Sequence, residues 1–356
     1  MKYFVIAGEP SGDMHAAKVV DEFRLLDSEA TFNGIGGNKL KESGVAISIG
    51  LDRTSFMGFY EVLKNWRIIR KNFKEVKENI QSFQPDVVIL VDYPGFNLRM
   101  AKWCKQQGYK VAYYISPTIW AWNEKRVEQV KKYVDRMICI LPFEKAFYEK
   151  HQYKNAYYVG HPLVDFIPCY NIVDNHSKKY IALLPGSRKQ ELQLLLKEML
   201  LTAATFPNEQ FLLSGISTLK ELYPALLPKN VQIVYDQTYE LLQKSKAAIV
   251  CSGTATLEAA LLNVPQIVVY KTAWINYQIG KRLAKVKFIS LPNLIENKKI
   301  VTELIQNNCT VENISIELQH LLNSDNTQLY KALHEKIKEK GAAKNTANLI
   351  YKMAIE

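Results

Sequence analysis

Short apolar runs alternate with amphipathic stretches along this chain, and the alternation starts again after a polar segment near its middle. Each apolar run has the length of a buried strand, and the stretches between them have helical periodicity, as at 16–25, 66–83 and 98–107. In the first half we predict strands at 3–7, 31–35, 87–91, 110–115 and 136–140. In the second half we predict strands at 180–184, 209–214, 231–234, 247–250 and 266–270. This pattern indicates parallel sheets that are covered by helices.

The restart of the pattern divides the chain into two domains. Its 356 residues fit two domains of about 150 residues each. The polar residues between Pro168 and Lys179 have the composition of an interdomain linker. We therefore predict an α/β protein with a first domain at 1–170, a second at 171–330 and a C-terminal helical stretch at 331–356. Ligands of such doubly wound sheets bind beyond the carboxyl ends of the strands.

The net charge and the cysteines restrict the kinds of partner and metal site that we expect. The formal net charge of +11 would attract nucleic acid, an anionic membrane surface or a phosphorylated substrate. The 5 cysteines are scattered without a CxxC pair, so neither a disulfide framework nor a zinc site is favoured. No signal peptide precedes the first strand, and no apolar run approaches the roughly 18 residues of a membrane span. We expect a cytoplasmic protein.

A glycine-rich loop, Gly8–Asp13, lies between the first strand and the first helix. Its small residues would let a ligand approach the backbone, and a helix N-terminus favours an anion. The candidates are Glu9, Ser11, Gly12 and Asp13. The loop is not a GxGxxG dinucleotide motif, so we do not predict NAD binding. A tight turn with Ser11 or Asp13 as the helix cap explains the same residues.

Asp92 directly follows the strongly apolar strand 87–91. A carboxylate at this strand end would accept a proton from a substrate hydroxyl if its geometry and pKa allow it. The alternative is a helix cap at the helix that begins near Leu98, and Asn97 is the better candidate for that cap.

Two further loops of the first half carry candidates for a ligand contact. Ser116, Trp120 and Trp122 lie in a loop after a strand, where an exposed indole often contacts a ligand. A core position for at least one tryptophan is the alternative. His161 follows at the domain junction, and a hydrogen-bonded structural histidine is the favoured interpretation there.

Three motifs of the second half are typical of nucleotide binding. Gly186, Ser187 and Arg188 follow its first strand, where backbone amides and a guanidinium would bind phosphate. Residues 252–256 (Ser252, Gly253, Thr254, Ala255 and Thr256) open a helix whose amides would hold a pyrophosphate, with Glu258 accepting from ribose hydroxyls. Asn293 is a candidate nucleotide or sugar contact, and an asparagine turn is its alternative.

Residues 57–73 combine apolar, aromatic and basic side chains. An exposed helix of this composition would lie in a membrane interface, whereas a core-facing stripe is the more common explanation. The candidate lipid contacts are Met57, Phe59, Val62, Leu63, Trp66 and Ile69.

Taken together and in order, ten segments of the chain resemble the lipid-A-disaccharide synthase family, which comprises inverting glycosyltransferases with the GT-B fold. The segments are GEPSGD at 8–13, GIGG at 34–37, MGFYEVL at 57–63, DYPGFNLRMAK at 92–102, YYISPTIWAW at 113–122, LPFE at 141–144, GHPL at 160–163, LPGSRKQE at 184–191, SGTATLEAAL at 252–261 and SLPN at 290–293. The sequence departs from the usual family pattern at Asn38, where proline is common, and at Asn123, where arginine is common.

The resemblance implies a GT-B architecture: two Rossmann-like domains with an interdomain cleft, and a last helix that packs back on the first domain. It implies transfer of 2,3-diacylglucosamine from UDP-2,3-diacylglucosamine to 2,3-diacylglucosamine 1-phosphate (lipid X), which gives a β-1,6-linked disaccharide and UDP. By the resemblance, the second domain binds UDP through Arg188, the 252–256 loop, Glu258 and Asn293, and the first binds the acceptor with Asp92 as general base. No metal cofactor is expected. Because both substrates are acylated, the resemblance also implies peripheral contact with the inner membrane through residues 57–73.

Three other functions fit parts of the same pattern. A UDP-N-acetylglucosamine 2-epimerase shares the two-domain architecture but has no need for an apolar, basic surface near residue 60. A transferase with another acceptor, such as the peptidoglycan GlcNAc transferase, differs in its N-terminal glycine-rich loop. A nucleic-acid-binding protein would show clustered lysines and arginines, whereas they are dispersed here except at 64–74.

Overall fold

The computed structural model describes residues 1–54, 66–167, 178–326 and 328–356. These residues form two compact units, Met1–Asp165 with Glu339–Glu356, and Phe166–Lys338. The boundaries therefore lie five residues before and eight residues after those we predicted, at 165 instead of 170 and at 338 instead of 330. The second difference arises because the helix Lys331–Ile337 buries Leu333 and Ile337 in the second unit.

The first unit is a parallel sheet with helices on both faces. Its strands are β1 (Lys2–Ala7), β2 (Thr31–Gly36), β3 (Ala46–Gly50), β4 (Val87–Val91), β5 (Lys110–Tyr114), β6 (Arg136–Cys139) and β7 (Ala156–Tyr158). Its helices up to residue 166 are α1 (Pro10–Leu26), α2 (Asn38–Glu42), α3 (Trp66–Phe83), α4 (Pro94–Gln106), α5 (Ile119–Trp122), α6 (Val127–Tyr133), α7 (Pro142–Lys150) and α8 (Pro162–Phe166). The strand order is β3-β2-β1-β4-β5-β6-β7, so the order reverses between β1 and β4.

The second unit repeats this plan. Its strands are β8 (Tyr180–Leu184), β9 (Gln210–Gly215), β10 (Val231–Tyr235), β11 (Ser245–Cys251), β12 (Gln266–Tyr270) and β13 (Thr302–Ile305). The remaining helices of the chain are α9 (Lys189–Ala204), α10 (Thr238–Gln243), α11 (Thr254–Leu261), α12 (Trp274–Leu283), α13 (Leu291–Glu296), α14 (Val311–Asn323), α15 (Lys331–Ile337) and α16 (Ala342–Ile355). The strands are parallel in the order β10-β9-β8-β11-β12-β13, with the reversal between β8 and β11. The predicted α/β fold with two doubly wound sheets is confirmed.

The central strands read as continuous apolar runs because both faces of each sheet are covered. In β1, Phe4 and Ile6 enter one core, whereas Tyr3 and Val5 enter the core on the other face. Every residue of β4 is buried. Three strands that we did not predict, β3, β7 and β13, lie at sheet edges, where shorter and half-exposed segments lack an apolar run.

The last helix, α16, belongs to the first unit. It packs against α1 and buries Ala347, Ile350 and Met353 in the core on that face of the sheet. The ammonium of Lys110 on β5 donates to the Met353 carbonyl at 2.9 Å. Across the described part of the chain, no helix has the length and apolar character needed to cross a bilayer.

Candidate active site

Asp92 lies at the reversal point of the first sheet, directly after β4. Glu9 follows the neighbouring strand β1, whose Ala7 is in register with Val91. The backbone at Asp92 and Tyr93 is left-handed, with φ of 45° and 50°. This conformation costs about 1–3 kcal/mol per non-glycine residue and persists only where surrounding contacts hold it.

Several contacts hold that strained turn. The Tyr113 hydroxyl and the Asn97 side-chain amide both donate to the Asp92 carbonyl, at 2.6 and 2.8 Å. The Tyr93 hydroxyl donates to the Thr54 carbonyl at 2.9 Å. These hydrogen bonds therefore fix the backbone that carries the Asp92 carboxyl group beyond the end of the sheet.

The environment of Asp92 suits a general base. Burial, followed by the nearby charge of Glu9, raises the pKa of Asp92 to about 6, although the Tyr93 amide acts against the shift. A base is most effective when its pKa lies near the working pH, because it is then both ionised and strong enough to take a proton.

The Tyr93 ring leaves no room for a side chain at Gly8, the first glycine of the GEPSGD motif. A Cβ on Gly8 would lie 2.3 Å from Cδ1 of the Tyr93 ring, which covers the loop. Ser11 is exposed at the start of α1, and Gly12 is buried in its first turn.

Asp13 makes structural hydrogen bonds instead of the predicted contact in the cleft. It is only 3% exposed, and its carboxylate accepts from the amides of Gly37, Lys39 and Leu40 at 2.6, 3.0 and 3.2 Å. Asp13 thus caps α2 and joins the GEPSGD loop to the GIGG loop, because the first amides of a helix lack partners within it.

Asn97 also departs from the predicted contact. Its side chain is fully buried, and its amide donates to the carbonyls of Val91 and Asp92 at 3.1 and 2.8 Å. It therefore acts on Asp92 through the backbone instead of facing a substrate.

The loop that carries Ser116, Trp120 and Trp122 is anchored to α7. Trp120 Nε1 donates to Glu144 at 3.1 Å, and the hydroxyls of Ser116 and Tyr148 lie 2.9 Å apart. Burial raises the pKa of Glu144 to about 7, while its hydrogen bonds act against the shift. Trp122 is 38% exposed, so this tryptophan keeps a surface for a ligand.

His161 fits the structural alternative. It is buried, and its Nδ1 accepts from the Leu163 amide at 3.2 Å. Burial, with a contribution from His15, lowers the pKa of His161 to about 3, so the ring is neutral at physiological pH.

Of the predicted lipid contacts, Met57, Phe59, Val62 and Leu63 lie outside the described residues. The other two occupy the first turn of α3. Trp66 is 52% exposed, whereas Ile69 packs partly against the core.

The second unit contains a cavity of about 310 Å³ at the carboxyl ends of β8, β9 and β11. The reversal point between β8 and β11 lies within it, where doubly wound sheets bind ligands. Its lining comes from four segments: Leu184–Arg188 with Glu191, Ser214 with Ile216, Thr238, and Cys251–Ala255 with Glu258.

The loop after β8 is built around Glu191. Gly186 has a φ of +105°, and a Cβ there would lie 2.3 Å from Glu191 Oε2. That carboxylate accepts from the amides of Ser187 and Arg188, at 3.0 and 3.2 Å. The backbone donors that we predicted for phosphate at Ser187 are therefore occupied. The Arg188 side chain lines the cavity, is 61% exposed and pairs with Glu191 at 3.5 Å.

The loop after β11 leads into α11 through Gly253, which occupies the helix N-cap. Ser252 Oγ donates to the Ile289 carbonyl at 3.0 Å, and Thr256 Oγ1 donates to the Gly253 carbonyl at 2.7 Å. These two hydrogen bonds stabilise the loop. Thr256 is fully buried and does not line the cavity. Gly253, Thr254 and Ala255 line it with the first turn of α11, the positive end of the helix dipole.

Glu258 lines the cavity one turn into α11. It accepts from the Tyr239 hydroxyl at 3.2 Å, and burial raises its pKa. Ser214 and Thr238 also line the cavity, with their hydroxyls 3.0 Å apart. Tyr239, Ser214 and Thr238 were not predicted from the sequence, since a single hydroxyl forms no pattern.

Asn293 does not line the cavity, and its contacts are structural instead of the predicted nucleotide contact. It is fully buried, its Oδ1 accepts from the amides of Ile300 and Val301, and its amide donates to Glu303 at 2.8 Å. Ser290 donates to the same carboxylate at 2.6 Å. Hydrogen bonds of the SLPN motif thus connect α13 to β13.

Comparison with known proteins shows one family that matches nearly the whole chain. The family model described as lipid-A-disaccharide synthetase matches residues 3–353. Lipid-A-disaccharide synthases of Coxiella burnetii (strain CbuG_Q212), Geobacter metallireducens and Myxococcus xanthus are 35%, 34% and 38% identical to the chain. These alignments cover 98%, 99% and 90% of the chain and 97%, 97% and 88% of the relatives.

Solved structures share the fold at low identity. The glycotransferase of kitacinnamycin superposes with a TM-score of 0.67 at 12% identity, over 99% of this chain and 98% of that one. The UDP-GlcNAc 2-epimerase of Neisseria meningitidis, solved with UDP-GlcNAc, gives 0.64 at 13% identity over 100% of both chains. The fold is thus common to transferases and epimerases, and the sequence relatives identify the family. The chain belongs to the lipid-A-disaccharide synthetase family.

Proposed function

We propose that this chain joins two acylated sugars. It transfers 2,3-diacylglucosamine from UDP-2,3-diacylglucosamine to the 6-hydroxyl of 2,3-diacylglucosamine 1-phosphate, which yields the β-1,6-linked disaccharide 1-phosphate and UDP. The observation that carries the proposal is the family match over residues 3–353, shared with relatives of nearly equal length.

In this proposal, Asp92 removes the proton from the acceptor hydroxyl. The acceptor oxygen forms a bond to the anomeric carbon while the bond from that carbon to the UDP oxygen breaks, and the proton passes to the Asp92 carboxylate. One in-line displacement inverts the configuration, so a single base suffices. The pKa of about 6 supports this role, because the carboxylate is ionised at neutral pH and more basic than an ordinary aspartate.

The cavity of the second unit is the proposed UDP site. Negative charge grows on the pyrophosphate as the bond breaks, and Arg188 with the first amides of α11 would stabilise it. Glu258 would accept from the ribose hydroxyls. We propose that no metal ion takes part; turnover that is lost on adding EDTA and restored by Mg²⁺ would contradict this.

Both proposed substrates carry acyl chains, so we also propose peripheral association with the cytoplasmic face of the inner membrane. The exposed Trp66 at the start of α3 supports a lipid contact on the first unit.

The deciding experiment mixes the purified protein with UDP-2,3-diacylglucosamine and 2,3-diacylglucosamine 1-phosphate and follows UDP and the lipid disaccharide. We expect both products in equal amounts. UDP without disaccharide would point to another acceptor. No UDP release, with formation of a C2 epimer from UDP-N-acetylglucosamine, would replace the proposal with an epimerase.

A further inference from the structure

Most described side chains of the segment after β12 are exposed, and the rest are partly buried. Trp274 is 71% exposed and Leu283 is 51% exposed, and no described side chain from 271 to 289 is buried. A Cβ on Gly280 would meet nothing within 4 Å. Helices in proteins gain most of their stability by packing an apolar face, and none of the described side chains of α12 is fully buried.

The same segment is strongly basic. Lys281, Arg282, Lys285 and Lys287 fall within seven residues, and the first acidic residue after β12 is Glu296. Lys271, at the start of the segment, pairs with Glu198 on α9. Exposed tryptophan and leucine beside a block of cations are typical of helices that lie in a membrane interface.

The position of α12 relates it to the cavity of its own unit. The helix begins after the carboxyl end of β12, which pairs with β11. The carboxyl end of β11 leads to Gly253, Thr254 and Ala255, which line the cavity. The exposed segment and the cavity therefore lie at the same edge of the second sheet.

We propose that residues 274–287, here called the basic helix segment, bind the surface of an anionic phospholipid membrane. Trp274 and Leu283 enter the boundary between headgroups and acyl chains, and the cations contact lipid phosphates. Charge complementarity and the exposed apolar side chains favour a lipid surface over a nucleic acid, which would use the cations without Leu283. The purpose of this contact, to hold the cavity near a lipid-borne donor, rests on the proposed function; the contact itself does not.

The test measures sedimentation of the full chain with vesicles, without sugar substrates. Vesicles of phosphatidylcholine are compared with vesicles that also contain phosphatidylglycerol. The charge variant is Lys281→Gln, Arg282→Gln and Lys287→Gln together. Its matched control is Lys179→Gln, Lys229→Gln and Lys244→Gln, which removes three exposed lysines at the opposite edge of the same sheet, just before β8, β10 and β11.

We expect the charge variant to lose binding to the anionic vesicles by at least about tenfold, while the control variant loses much less. A second variant, Trp274→Ser with Leu283→Ser, alters only exposed side chains and should weaken the same binding. The circular dichroism spectra and melting temperatures of all three variants should match those of the parent chain, which would show that they fold.

Equal losses of binding in the charge variant and its control would overturn the proposal. Unchanged binding in both the charge variant and the Trp274 and Leu283 variant would also overturn it. Tighter binding to single-stranded RNA than to anionic vesicles, insensitive to the Trp274 and Leu283 changes, would replace the lipid with a nucleic acid. Failure of the disaccharide assay with intact vesicle binding would remove the proposed function and leave this surface standing.

Discussion

At the scale of single residues, Asp92 is the proposed general base. Its strained backbone places the carboxylate beyond the sheet, and its surroundings keep the pKa near neutrality. Both properties follow from its place between a fully buried strand and a helix that begins at once. An aspartate on an exposed loop would have neither.

Replacing Asp92 by asparagine removes the proposed base while keeping the size of the side chain. We expect turnover to fall by about 10²–10⁴-fold with little change in UDP affinity. The parent chain should lose activity as the pH falls through about 6, because the carboxyl group becomes protonated. Steady-state rates from pH 5 to 9, with UDP binding by calorimetry as the control, test this. An activity retained in the variant would exclude Asp92 as the base.

The same substitution has a predicted effect on stability. The unfolded chain ionises this carboxyl near its usual pKa of about 3.9, whereas the folded chain resists ionisation up to about 6. Folding is therefore opposed above about pH 6 and not opposed below about pH 4. Asp92→Asn should raise the free energy of unfolding by roughly 1–3 kcal/mol at pH 8 and leave it unchanged at pH 4. Urea unfolding at both pH values measures the difference; an equal gain at pH 4 would contradict this explanation.

We propose that Tyr113 positions Asp92. Phenylalanine at this site keeps the ring and loses the hydroxyl that donates to the Asp92 carbonyl. We expect kcat to fall by about 10–100-fold with donor KM nearly constant, since a small displacement of a reacting group has effects of this size. The control is Tyr3→Phe, another fully buried tyrosine of the same sheet, whose hydroxyl contacts Met1. Equal losses in both variants would indicate a general effect on the sheet.

The sequence allowed Asp92, Arg188 and Glu258 to be placed beyond strand ends, because each lies in the loop or helix that follows an apolar run. It did not show that Asp13 and Asn293 have structural partners. Asp13 accepts from amides 24 to 27 residues away, and Asn293 contacts Glu303 on β13. Contacts that span from 7 to 27 residues leave no local pattern, so these two side chains were predicted to contact a ligand.

At the scale of elements, the conformation of the loop between β8 and α9 depends on one glycine, Gly186. Gly186→Ala must adopt a positive φ and approach Glu191, which orders the amides of Ser187 and Arg188. We expect a loss of about 1–3 kcal/mol in the stability of the second unit and weaker UDP binding.

A matched substitution in the same unit separates these effects from the added methyl group. Gly280→Ala on α12 places its Cβ in open space, and alanine favours a helix over glycine by up to about 1 kcal/mol. It should leave UDP binding unchanged. Thermal melts with and without UDP compare the two variants, and similar behaviour of both would refute the role of Gly186.

Elements were predictable in proportion to their burial. Central strands such as β4 and β11 are buried on both faces, so their apolar runs were visible. The edge strand β3 has only one fully buried residue, Ile49, and β7 is three residues long. In a single sequence, a strand that is this short or that buries only one side chain cannot be distinguished from a loop.

At the scale of the whole molecule, the first unit is completed by α16. Ile350 is fully buried in the core shared with α1, whereas Ile355, on the same helix, is 59% exposed. Ile350→Ala should destabilise the first unit by about 2–5 kcal/mol, and Ile355→Ala should change stability by less than about 0.5 kcal/mol.

The two units should be distinguishable in this measurement. UDP is expected to raise the melting transition of the second unit, so the Ile350→Ala loss should appear in the transition that UDP does not move. Differential scanning calorimetry with and without UDP separates them. A uniform loss in both transitions would show that the units unfold as one.

The placement of α16 also constrains the order of events during synthesis. A ribosome makes residues 1–165 first, yet the core on one face of their sheet lacks Ile350 and Met353 until nearly the whole chain has emerged. The second unit, made later, has all of its strands and helices by residue 338 and is free to fold before the first is finished. The nascent first unit therefore carries an open apolar face through the synthesis of its neighbour, the interval in which chaperones meet such surfaces.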